Sequence, residues 1–118
     1  MQLRKRVFLT VLAIASGIQM SPVQAAVVGG AQGRVTEYSL FSEYGGGDVI
    51  FKFTGAIGGC DGFWLRPTDP GFEHAFSILK TAYETGKPLR VWVHDDSNWD
   101  GSANIYCRVY RLNPITPV

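Results

Sequence analysis

The side chains best suited to chemistry crowd into one stretch, His94-Asp95-Asp96-Ser97-Asn98-Trp99-Asp100-Gly101. A histidine beside carboxylates can act as an acid–base couple. Catalysis also needs a nucleophile or a metal set placed against that couple. The chain has no Gly-x-Ser-x-Gly, His-Glu-x-x-His or phosphate-loop pattern. The other histidine, His74, falls off the apolar stripe of its segment and reads as solvated. No catalytic residue is therefore assigned.

Asp96-x-Asn98-x-Asp100-Gly101 copies the first half of a calcium-binding loop. Its twelfth position, which should supply a bidentate glutamate, is Cys107, so the pattern does not close around an ion. No metal site and no cofactor are expected. Recognition is the chemistry that remains. Trp99 stands among Asp95, Asp96, Asn98 and Asp100. An aromatic plane beside carboxylates and an amide suits a sugar, whose C–H face stacks on the ring while its hydroxyls bond to the polar groups. The same acids repel phosphate, which argues against oligonucleotides. The other role open to Trp99 is structural: folding back to cover the mouth of a barrel, as large aromatics usually bury most of their surface.

The elements that must hold this stretch follow from periodicity. Gly33–Ser42 has a moderate strand pattern, and Tyr44-Gly45-Gly46-Gly47-Asp48 is a turn. Val49–Thr54 alternates, with Val49, Phe51 and Phe53 on one face. Cys60–Leu65 reads as a third strand. Asp69 as cap and Pro70 at the first position open a helix, along which Phe72, Ala75, Phe76, Leu79, Ala82 and Tyr83 form one apolar stripe. Gly86 and Pro88 end it. Leu89–His94 alternates again, Asp95–Asn104 is a polar loop, and Ile105–Leu112 is the last strand, with Ile105, Cys107 and Val109 on one side and Tyr106, Arg108 and Tyr110 on the other. Residues 26–32 read as a loose leader and 113–118 as a tail.

Three strands, a helix and two strands give a mainly β chain of the order β-β-β-α-β-β. That is the plan of an OB-fold, a five-stranded, partly open Greek-key barrel. An open three-plus-two α+β sheet is the alternative. In OB-folds ligands meet the loops joining strands one to two and four to five. Here these loops bring Tyr44 beside the Trp99 stretch, so Tyr44, Asp95, Asp96, Asn98 and Trp99 are the candidate ligand-binding residues.

At 118 residues, 46% hydrophobic and 18% charged, the chain has room for about one small domain and is too apolar to be disordered. Arg4, Lys5 and Arg6 precede an apolar run, Val7–Ile18, too short for a spanning helix. Val23 and Ala25 place small side chains before a cut after Ala25. Residues 1–25 thus read as a secretory signal peptide and 26–118 as a single OB-like domain, secreted or periplasmic, with no membrane span. Cleavage leaves 8 basic against 10 acidic side chains, a net −2 that makes nucleic acid a poor partner. Cys60 and Cys107 are the only cysteines, and in an oxidising compartment they are expected to form a disulfide.

Cys60-Asp61-Gly62-Phe63-Trp64, the helix end Tyr83-Glu84-Thr85-Gly86, the run Lys87-Pro88-Leu89-Arg90-Val91-Trp92-Val93, and Trp99 together carry a family likeness. This stretch of roughly fifty residues, Cys60 to Cys107, resembles the B subunits of the one-A-five-B bacterial toxins, in the subtilase-cytotoxin and pertussis-like branch. The resemblance implies a secreted OB-fold that assembles as a homopentamer, binds host-cell carbohydrate and partners a catalytic A subunit. In those toxins a serine at or before the first strand contacts the sugar. Ala31-Gln32 stands there in this chain, with Ser39 and Ser42 further along, so no serine is carried over. A monomeric periplasmic interaction protein without a toxin role is the alternative.

Overall fold

The computed structural model describes residues 26–116, so the expected signal peptide lies outside the described residues. Six strands and one helix follow in order: β1 (Val27–Gly33), β2 (Val35–Phe41), β3 (Asp48–Phe53), β4 (Gly62–Leu65), α1 (Phe72–Thr85), β5 (Leu89–Asn98) and β6 (Tyr106–Pro114). They form one mixed sheet of order β1-β5-β6-β4-β3-β2, in which only β4 and β6 run parallel. The described residues are mainly β with one helix, as their periodicity requires.

Two expectations are corrected. Among the described residues there are six strands rather than five, and β1 and β2 are the two edges of an open ladder that does not close into a barrel. The additional strand is β1, built from residues read as a loose leader. Its small side chains carry no alternating pattern, and it is held by main-chain pairing to β5 (Val27 opposite His94, Gly33 opposite Leu89). Gly29 makes the pairing feasible. Its φ is +130°, the register shifts just after it, and a Cβ there would press on the backbone of Val91 and Trp92. Arg34 alone separates β1 from β2.

Alternation then fills the core. Val49, Phe51 and Phe53 of β3, Phe63 and Leu65 of β4, Leu89, Val91 and Val93 of β5 and Val109 of β6 are all buried. Phe63 stacks on Phe51 at 5.3 Å and meets Phe53 edge-on at 4.9 Å. From α1, Leu79 and Ala82 are buried in this layer, with Phe72, Ala75 and Phe76 packed against it. Tyr83, at the end of the stripe, is exposed but meets Tyr38 edge-on.

The two ends of α1 differ in kind. Gly86 closes the C-terminus in the left-handed region at φ 70°, its N–H donating to Ala82 O at 2.9 Å. The Arg34 guanidinium donates to Gly86 O, placing positive charge at the negative end of the helix dipole. At the N-terminus Asp69 is not the cap. Gly71 occupies that position without a side-chain hydrogen bond, and only the Asp69 backbone carbonyl accepts from Phe72 N. The Asp69 carboxylate is held elsewhere, by arginines.

Cys60 and Cys107 form the expected disulfide, with Cα atoms 5.7 Å apart. The bond ties the approach to β4 onto β6, where Cys107 lies opposite Phe63 in the parallel ladder. Among the described residues no helix is long and apolar enough to cross a membrane.

Candidate functional site

The two loops expected to share a ligand do meet, through two cross-loop hydrogen bonds. Trp99 Nε1 donates to Asp48 Oδ2 at 2.9 Å, and Tyr44 Oη donates to Asp100 Oδ1 at 3.1 Å. The β2–β3 turn is tight enough for this because Tyr44 O accepts from both Gly47 N and Asp48 N, with three successive glycines at positive φ.

Trp99 takes the structural role. It is only 6% exposed, lying against Phe41, Tyr44 and Tyr106 at centroid distances of 5.2, 5.8 and 5.6 Å. Its ring is therefore not an open platform, and the expectation of sugar stacking on Trp99 is corrected on this point. Burying the indole on three aromatic neighbours, with its N–H satisfied by a carboxylate, outweighs leaving it in water. Tyr44 is the ring that stays open, 42% exposed and braced edge-on against Trp99. Its hydrogen bond to Asp100 holds the phenol above its ordinary pKa, with smaller contributions from desolvation and from the negative charges of Asp100 and Asp48.

The other candidates sit apart from this pair. The polar stretch does not begin at Asp95, because β5 runs on to Asn98, and the loop is correspondingly short. The register shifts from Val93 opposite Val109 to Asn98 opposite Cys107, so the stretch between them bulges out of the β5–β6 ladder. Asp95 is exposed and engaged with the start of the sheet: its Oδ1 accepts from Ala26 N, and its own N–H donates to Ala26 O, both at 3.0 Å. Asp96 and Asn98 are exposed on the same strand. Tyr44, Trp99 and Asp100 thus form one constellation, joined by Phe41, Asp48 and Tyr106, which periodicity did not single out. Asp48 was the legible one, as a charge ending a glycine turn. Among the described residues no three His, Cys, Asp or Glu side chains converge on a metal position.

A second polar cluster forms where β4, β6, β5 and the start of α1 come together. The Asp69 carboxylate accepts from Arg66 Nε and Nη2 at 3.0 and 2.8 Å, and from Arg108 Nη1 at 3.2 and 3.3 Å. Arg108 Nε also donates to Ser97 Oγ at 3.0 Å. Arg66, Asp69 and Arg108 line a cleft of about 280 Å³ that also includes His94, Tyr110 and Arg111. Burial lowers the pKa of His94, as does the positive charge of Arg108. Its ring stands perpendicular to Tyr110 at 5.4 Å. Strand alternation could have placed Arg108 and His94 on outward faces, but the Asp69 bridge needs a fold to be seen.

Comparisons of the chain with protein-family models, with curated proteins and with solved structures find no match.

Proposed function

We propose that this chain is a secreted, non-catalytic recognition protein that binds carbohydrate at the rim formed by Tyr44 and Asp100. The observation that carries this reading is the Tyr44 Oη–Asp100 Oδ1 hydrogen bond, which fixes an exposed ring beside a carboxylate. A ring so oriented offers its face to sugar C–H groups at little entropic cost, and the carboxylate can accept from sugar hydroxyls. The sheet supports an OB-type arrangement. β1 and β2, with Arg34 alone between them, act as two halves of one bent strand, one pairing with β5 and the other with β3. The helix falls between β4 and β5, and the parallel β4–β6 pair joins the two halves of the sheet. With the toxin-like run around Cys60 to Cys107, the reading extends to a homopentamer that presents glycan sites for a catalytic A subunit, exported after cleavage near Ala25.

The test is a glycan array of sialylated and neutral glycans, probed with the purified oligomer and with Tyr44→Ala. Binding to a glycan class that is lost in Tyr44→Ala is expected. Silence of the oligomer on every glycan would overturn the reading. Light scattering supplies the second arm: a mass near one chain favours the monomeric interaction protein instead.

A further inference from the structure

The cleft between α1, β4, β5 and β6 shares no residue with the Tyr44 rim, and its charge does not balance. Two guanidiniums, from Arg66 and Arg108, face one carboxylate, Asp69. Asp69 occupies Nε and Nη2 of Arg66 and Nη1 of Arg108, while Ser97 takes Nε of Arg108. Arg66 Nη1 and Arg108 Nη2 make no hydrogen bond to another described residue, so each guanidinium on the cleft keeps one nitrogen free to donate. The Arg108 side chain is 18% exposed and that of Arg66 39%, which keeps both partly desolvated yet reachable. Leu65, Phe72, Ala75 and Leu112 supply an apolar wall beside them.

From this geometry we infer that the cleft binds a small carboxylate-bearing organic ligand, its anionic group on Arg66 and Arg108 and its body along Phe72, Ala75 and Leu112. The two carboxylate oxygens can accept charge-assisted bonds from these nitrogens, and weak hydration suits arginine to a partly buried ion pair. One carboxylate neutralises the single positive charge left by the Arg66–Asp69–Arg108 cluster; the third arginine of the lining, Arg111, has its guanidinium stacked over Trp92, 4.3 Å from the ring centroid. A phosphate dianion would overcompensate that cluster beside Asp69. The apolar wall selects an organic acid over an inorganic ion. The size of the cleft, just below the range for drug-sized ligand sites, limits the body to a short chain or a single ring.

The experiment is an amide NMR titration of the purified chain with hexanoate and benzoate, alongside hexanol and inorganic phosphate as probes lacking one half of the match. Saturable shifts centred on Arg66, Asp69, His94 and Arg108 are expected with the two acids, and their relative affinity separates an aliphatic from an aromatic body. Arg66→Gln, at the more exposed arginine, should weaken hexanoate binding about tenfold while leaving the spectrum of the fold intact. Asp69→Asn removes the competing carboxylate and should tighten it, a gain that a purely structural role for the cluster does not produce. Shifts that fail to saturate, hexanol or phosphate binding as well as hexanoate, or unchanged affinity in either variant would overturn the inference. None of these outcomes bears on the Tyr44 rim.

Discussion

Trp99 Nε1 lies 2.9 Å from Asp48 Oδ2, joining residues fifty-one positions apart in a pair that is almost wholly out of water. This bond pins the β5–β6 loop to the β2–β3 turn, and the exposed Tyr44–Asp100 contact rests on it. Asp48 is the only charged residue that is buried among the described residues, so its solvation depends on this donor and the nearby turn. Trp99→Phe keeps an aromatic filler but removes the donor. It should cost about 2–3 kcal/mol, because a buried acceptor loses its partner. Asp48→Asn retains an acceptor oxygen and should cost less. Urea unfolding of both variants and the double mutant measures the coupling; additive losses would show that the bond contributes nothing specific.

Gly45 tests the same junction through the backbone. Its φ is +65°, and a Cβ there would overlap the Asp48 carboxylate, whereas Gly46, at +87°, faces open space. Gly45→Ala should therefore lose more stability than Gly46→Ala. The second variant carries only the left-handed backbone cost of about 1–2 kcal/mol. Equal thermal shifts in the two would mean that the turn relaxes away from Asp48.

The Cys60–Cys107 bridge closes a loop of 47 positions. The chain-entropy model assigns such a closure about 4 kcal/mol of stability, acting through the unfolded state. Paired Cys60→Ala and Cys107→Ala substitutions should lower the unfolding free energy measured in urea by an amount of that order. Free cysteines are absent among the described residues, so thiol labelling of the native chain without reductant should show no uptake.

His94 should make stability depend on pH. Its folded pKa lies below the ordinary 6.5, held down first by burial and then by Arg108, with a smaller push from Arg66. Asp96 and Asp69 oppose the shift, and the Tyr110 ring packs against the imidazole. The folded state thus prefers neutral histidine. Its contribution is fully present above the unfolded pKa and is lost as pH falls through the folded one. Melting temperature should drop on acidification from pH 7 through the range below 6.5, and His94→Gln should flatten that part of the curve. An unchanged slope in the variant would assign the acid sensitivity to other groups.

Local pattern was enough for the parts of this molecule whose side chains choose their own neighbours. The alternation of Val49, Phe51 and Phe53, the stripe from Phe72 to Leu79, the Gly86 stop and the two-cysteine arithmetic each depend on period or count, and each reappears in the fold. The tertiary structure decided what depends on partners distant in the chain. β1 is a strand only because β5 is there to pair with its glycine-rich backbone. Tyr106 belongs by alternation to the outer face, yet it is buried because Trp99 packs on it and Gly62 leaves room beneath its ring. Asp69 has the residue type of a helix cap, but two arginines compete for its carboxylate, and a charge-assisted bond to each outweighs a cap on a backbone amide. Periodicity reports which face a residue prefers; who meets it on that face is settled by chain topology, which brings Asp48 to Trp99 and Arg108 to Asp69.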